Sequence, residues 1–192
     1  MKRFLLILLF GFQFMTAQDT ISTSKLLHRK NEFRIDLLSL VASSKLNATY
    51  ERFLNNRFSV GVTGNYTDSN KINAKFDSGN RNVNPKYEIM PFVRYNLSKG
   101  ISSFYFAEIF ASANGGNFRE TVRLTNQNNN DYYTIQKTTY SDLGLGAGVG
   151  YKFYIKDRLG IEFLVGFGTN LFNRDKSPDV LSRVGLNIGY RF

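Results

Sequence analysis

From residue 33 to the end of the chain, apolar and polar side chains alternate with a period of two in one segment after another. Successive side chains of a strand point to opposite faces, so each segment is a ribbon with one greasy and one wet side. Phe33, Ile35 and Leu37 alternate with Arg34 and Asp36, and Leu46, Ala48 and Tyr50 with Asn47, Thr49 and Glu51. Phe58, Val60, Val62 and Tyr66 alternate with Ser59, Gly61, Thr63 and Asn65. Tyr87, Ile89, Val93 and Tyr95 stand against Glu88, Met90, Arg94 and Asn96. Tyr105, Ala107, Ile109 and Ala111 leave Glu108 on the other side, a phase that also sends Phe104, Phe106 and Phe110 inward. Leu143 to Phe153 alternates with Gly144, Gly146, Gly148, Gly150 and Lys152. Ile161, Phe163, Val165 and Phe167 oppose Glu162, Leu164, Gly166 and Gly168, and Val184 to Phe192 opposes Arg183, Gly185, Asn187, Gly189 and Arg191.

Eight such segments predict an all-β chain: a closed antiparallel up-and-down transmembrane β-barrel of about eight strands. A soluble barrel would turn the apolar faces inward. Three features favour the opposite arrangement. The wet faces carry paired charges, they carry glycines where a narrow lumen needs small residues, and the connectors alternate short and long. Leu54–Arg57, Ser98–Gly100 and Lys156–Arg158 are short, whereas 67–85, 113–140 and 169–179 are long and polar. The first external connector, Ala42–Lys45, is the one short member of its set. With both chain ends inside, every long connector falls on one side. Pro91 cannot donate a ladder hydrogen bond, so a bulge is expected there.

Lys2 and Arg3, the apolar stretch Phe4–Phe12 and the small pair Thr16-Ala17 form an export signal. Residues 1–17 are expected to be removed, 18–31 to form a periplasmic tail and 32–192 the barrel. Removal takes away two cations and no acid, so the formal charge falls from +10 to +8. Those charges are spread thinly and form no basic helix, which, with export, argues against nucleic acid and for anionic lipid headgroups. The chain has no Cys and one His, His28, which precedes the first strand. Disulfides, thiolate chemistry and any zinc site are therefore not expected, and neither is a bound cofactor.

The ending Val184-Gly-Leu186-Asn-Ile188-Gly-Tyr190-Arg-Phe192 resembles the last strand of bacterial outer-membrane β-barrels. In that family a terminal Phe preceded by alternating apolar residues is the mark read by the barrel-assembly machinery. The resemblance implies that Val184, Leu186, Ile188, Tyr190 and Phe192 carry that mark here. Size and hairpin plan over residues 32–192 are similar to small Gram-negative barrels of the OmpA transmembrane domain and OmpX type. The resemblance is one of pattern and brings no site residues with it. It does imply that the enzymes among small outer-membrane barrels rely on a histidine in or above the barrel.

His28 is expected on the periplasmic side, so no enzyme is expected. The run Gly144-Leu-Gly146-Ala-Gly148-Val-Gly150 has the period of a strand and lacks the spacing of a nucleotide loop. Arg34, Asp36, Glu51, Glu88, Arg94, Glu108, Lys152, Glu162, Arg183 and Arg191 fall on the wet face and form an expected internal charge network. Lys71, Lys75, Arg81 and Lys86 in one external loop, with Arg119, Arg123 and Lys137 in the next, are candidates for contact with anionic lipid or lipopolysaccharide. The sequence thus points to a monomeric, non-catalytic protein integral to the outer membrane, with a structural or surface-interaction role through its loops. A small-solute or ion channel and an exported soluble ligand-binding barrel are the alternatives.

Overall fold

The computed structural model describes residues 25–125 and 131–192. The export signal at 1–17 and residues 18–24 of the tail lie outside the described residues. Eight antiparallel strands follow one another around a closed barrel in sequence order. They are β1 (Asn31–Asp36), β2 (Lys45–Phe53), β3 (Phe58–Thr67), β4 (Val83–Asn96), β5 (Ser103–Thr125), β6 (Asp131–Ile155), β7 (Leu159–Asn170) and β8 (Val180–Arg191). Phe192 exchanges both backbone hydrogen bonds with Asn31 at 2.8 and 3.0 Å, beside the β1–β8 closure.

The two faces sort as the alternation requires. One outward residue per strand (Phe33, Tyr50, Val62, Val93, Ile109, Val149, Val165 and Ile188) traces an exposed apolar belt round the wall. Leu145 and Phe163 also point outward, and Phe104, Phe106 and Phe110 point into the lumen. Aromatic pairs gather near the short turns: Phe58 with Tyr95 at 5.0 Å between ring centres, and Tyr105 with Tyr151 at 4.7 Å.

Glycine and aromatic residues interlock between neighbouring strands on the lumen face. Phe92, Phe110 and Phe106 stand opposite Gly61, Gly146 and Gly150 in the strand register. A Cβ built on Gly150 would lie 2.3 Å from Phe106 Cζ, and one on Gly146 would lie 2.3 Å from Phe110 Cζ. These glycines leave space that a neighbouring ring fills.

Four local expectations are corrected. The first strand stops at Asp36, and Leu37 begins a helix, α1 (Leu37–Ser43), so the first external connector is longer than Ala42–Lys45. Asp36 caps this helix, accepting hydrogen bonds from the backbone N–H of Leu38 and Ser39 at 3.0 and 3.3 Å. Strand β1 pairs with β2 only as far as Ile35↔Ala48 and with β8 as far as Asp36↔Asn187. Above that point α1 packs against β2 and β8 in place of a strand. A helix satisfies its own backbone, so it can fill a gap in a wall where a loop could not. Leu37, Leu38, Leu40 and Val41 are exposed on it.

The segment 113–140 is not a loop but largely hairpin, since β5 and β6 pair continuously from Ser103↔Phe153 to Thr125↔Asp131. The turn expected at Ser98–Gly100 spans residues 97–102. No register shift occurs at Pro91. It pairs with Val62 of β3, and the β4–β5 ladder passes from Ile89↔Ala113 to Phe92↔Phe110 in unchanged register. The irregularity lies between Pro85 and Tyr87 instead. The connector 67–85 contains a helix, α2 (Asn70–Asp77).

Candidate functional site

The lumen is stacked in layers. At the short-turn end, a 3-10 turn at Lys25–Leu27 inserts Leu26, fully buried, among Phe53, Phe104, Phe106, Tyr154 and Leu164. Arg191 lies over the Phe53 ring at 3.6 Å and donates to Tyr154 Oη at 3.2 Å, while Tyr154 Oη donates to Glu32. This floor closes one end of the barrel with aromatic and apolar groups.

Above it sits a layer of buried ions. Lys152 Nζ meets carboxylate oxygens of Glu32, Glu51 and Glu162 at 2.9, 2.8 and 2.9 Å. Arg94 bonds Glu108 at 2.7 Å, Glu162 at 2.6 Å and Glu51 at 3.2 Å. Arg34 pairs with Glu51, with Glu32 at 3.0 Å and with Glu162 at 3.3 Å. Arg183 adds an ion pair to Glu108 at 2.9 Å. Four carboxylates thus face four cations. Burying charge is tolerable when it is balanced and hydrogen-bonded in this way. The oxygens of Glu32, Glu51 and Glu162 lie close enough to hold a metal ion, but the Lys152 ammonium occupies that position.

A second apolar layer, of Met90, Phe92 and Phe110, follows, with the Arg183 guanidinium 4.9 Å from the Phe92 ring centre. Beyond it the lumen opens into a vestibule of about 270 Å³ that includes Lys45, Asn65, Glu88, Asn114 and Tyr140.

The expected lumen residues divide among these layers. Arg34, Glu51, Arg94, Glu108, Lys152, Glu162 and Arg183 are brought together. Asp36 is buried but serves α1 and the Leu186 N–H, at 3.1 Å, rather than an ion pair. Glu88 sits in the vestibule, 3.5 Å from Lys45 Nζ. Arg191 belongs to the floor. Glu32, central to the layer, stands one step before the apolar residue from which the first segment is counted. Its phase with Arg34 and Asp36 is the signal that finds it.

The basic candidates separate as well. Arg119 is buried in β5 and donates to the carbonyls of Phe76 and Asp77 at 2.5 and 2.9 Å. Lys137 pairs with Asp77 at 2.7 Å, and that bond holds the Asp77 carboxyl below the usual aspartate range. Arg123 pairs with Asp131 across the hairpin, and Lys86 lies 3.6 Å from Asp68. Lys71, Lys75 and Arg81 are exposed with no carboxylate partner among the described residues. His28 is exposed beside the floor, at the opposite end from the vestibule. Of the assembly-mark residues, Val184, Ile188, Tyr190 and Phe192 face outward, and Leu186 is half-buried beside α1.

The family described as "Protein of unknown function (DUF3575)" matches residues 5–181. The chain belongs to that family. No curated protein matches this DUF3575 chain. Its barrel is similar to the N-terminal β-barrel domain of Pseudomonas aeruginosa OprF, with a TM-score of 0.51 and 11% identity over 85% of this chain and 98% of that one. Neisserial surface protein A aligns at a TM-score of 0.48 and 13% identity, covering 85% and 94% of the two chains. Ail, the attachment invasion locus protein of Yersinia pestis, aligns at 0.45 and 13%, covering 85% and 99%. At such identities the likeness is one of fold. The DUF3575 chain has the fold of the small outer-membrane barrels that its ending and hairpin plan resemble.

Proposed function

We propose that this chain is exported, loses residues 1–17 and resides in the bacterial outer membrane as a non-conducting, non-catalytic barrel that acts through its external loops. The observation that carries this is the pairing of an apolar belt on the outside with a charge-filled lumen. Soluble monomers rarely expose continuous apolar surface beyond a few hundred Å². Here every strand contributes to the belt. Its height also fits. Phe58 and Tyr66 lie eight residues apart on β3, which at about 3.3 Å per residue and a tilt of about 40° is about 20 Å, close to the ~25 Å band of such barrels. Arg57 donates to Tyr95 Oη at 3.2 Å and Arg158 to Tyr190 Oη at 3.1 Å, placing cations beside aromatics as an interface favours.

In this proposal the barrel-assembly machinery reads Val184 to Phe192, and the barrel is a monomer. The cations free to meet lipopolysaccharide phosphates are Lys71, Lys75 and Arg81. The refolded protein is expected to migrate differently in gels before and after boiling, and to give no stable open level in planar bilayers. A steady, large conductance would show that the ion layer yields and would establish a channel instead. Solubility of the folded chain without detergent would overturn the membrane assignment itself.

A further inference from the structure

The chain's cations are spread thinly along the sequence, but the fold gathers them unevenly. The buried side chains include six cations and six carboxylates, so the interior carries no net charge. Of the charged residues that reach the surface, the long-connector end holds nine cations and seven carboxylates, and four of those cations are ion-paired. The short-turn end holds eight cations against a single aspartate, Asp157. A carboxylate at Phe192 leaves that end strongly positive.

Every short turn contributes. Arg57 lies between β2 and β3, Lys99 between β4 and β5, and Lys156 and Arg158 between β6 and β7. Arg52 stands next to the last residue of β2, and Lys25, Arg29 and Lys30 join from the segment that enters β1. Among the described residues none of the eight has a carboxylate within ion-pair distance, and Arg29 donates instead to the Asp157 carbonyl. Like charges crowded on one rim repel one another, and a partner of opposite charge relieves that repulsion.

Their placement selects the partner. Arg52 is exposed on the outer face, in phase with Tyr50. Arg57 and Arg158 reach the hydroxyls of Tyr95 and Tyr190, two outward-facing residues, at 3.2 and 3.1 Å. These arginines therefore follow the edge of the apolar belt rather than line a mouth, and Leu26 with its aromatic neighbours closes the mouth. A polymer lying across the end would meet only the turn tips and the N-terminal segment. Headgroups packed around the edge of the belt meet the ring on all sides.

We propose that the short-turn rim is a collar for anionic phospholipid headgroups, which holds lipids such as phosphatidylglycerol against the barrel in the leaflet on that side. This rests on the membrane reading above, and it adds a lipid surface at the end opposite the external loops. Each cation beside an anionic lipid surface strengthens binding about fivefold, an effect that fades within roughly 8 Å at physiological salt.

The test uses the full chain in phosphatidylcholine nanodiscs while the fraction of phosphatidylglycerol is raised. Backbone amide signals of Asn55, Gly100 and Asp157 report on the rim, and those of Ala74 and Gly79 on the loop end. The rim signals are expected to shift saturably, at a lower phosphatidylglycerol fraction than the loop signals, and to need more of it as salt is added. Arg52→Gln, Lys99→Gln and Lys156→Gln together remove three side chains that make no hydrogen bond or ion pair among the described residues, so the barrel should fold as before. Half-saturation of the rim signals should then need at least about five times more phosphatidylglycerol. Rim signals that do not respond, or that respond equally in the triple variant, overturn the proposal while leaving the membrane reading in place. A chain that fails to float with vesicles of either lipid sinks the membrane reading and the collar with it. Rim signals that shift with purified peptidoglycan and not with phosphatidylglycerol assign the collar to the cell wall and overturn the lipid proposal.

Discussion

Arg94 is the residue on which the lumen's charge balance converges, because it alone bonds Glu51, Glu108 and Glu162. Arg94→Met keeps much of the volume but leaves three buried carboxylates short of a counter-charge. Removing one partner of a buried ion network costs about 3–5 kcal/mol, and urea unfolding from lipid vesicles should show a loss of that size. The glycines offer a sharper comparison. Gly150→Ala must displace the Phe106 ring and should cost about 1–3 kcal/mol, whereas Gly64→Ala, with nothing within 4 Å of its Cβ, should change stability by less than about 0.5 kcal/mol. Equal effects would remove the interlocking account. At this scale the sequence was informative wherever a residue's phase decided its solvent: Arg34, Arg94, Lys152 and Glu162 needed only alternation to be placed. It did not show which ion meets which. That depends on strands far apart in sequence, as when Arg94 reaches Glu162.

Among the elements, strands with an apolar outer face and a polar inner one were legible and the rest were not, for one physical reason. Alternation is enforced only where the two faces meet different solvents. The outer end of the β5–β6 hairpin, residues 121–125 and 131–137, buries no side chain on either face, so its sequence resembles a polar loop although these residues pair. The run Leu37-Leu-Ser-Leu-Val41 breaks period two and forms α1 because Asp36 supplies its cap. Asp36→Ala should cost about 1–2 kcal/mol through the lost cap, and should loosen α1 before the barrel unfolds, visible as faster amide exchange at Leu38 and Ser39. Helix α2 is tied to β6 by Asp77 and Lys137. Because the folded carboxyl titrates below its usual value of 3.8, this tie is fully present above that pH and is lost as pH falls through the lower, folded value. Amides of α2 should therefore exchange faster below about pH 3.8, and Lys137→Met should abolish that step.

For the whole molecule, closure follows from eight ribbons that each turn an apolar face outward and from the cost of leaving an edge strand's hydrogen-bonding groups unpaired. That much was implicit in the sequence. The uneven strength of the closure was not, because it depends on where β1 gives way to α1. The first strand shares five residue pairs with β2 and five with β8, while β5 and β6 share 23. A hoop parts at its joint. Under denaturant or pulling force, the staves that meet at the chain's two ends should separate first, and exchange at Phe33, Ile35 and Ile188 should lead that of the β6–β7 staves. If instead all staves opened together, the short joint would have no mechanical meaning. Led by the joint, the cylinder would have a built-in line along which it is assembled last and comes undone first.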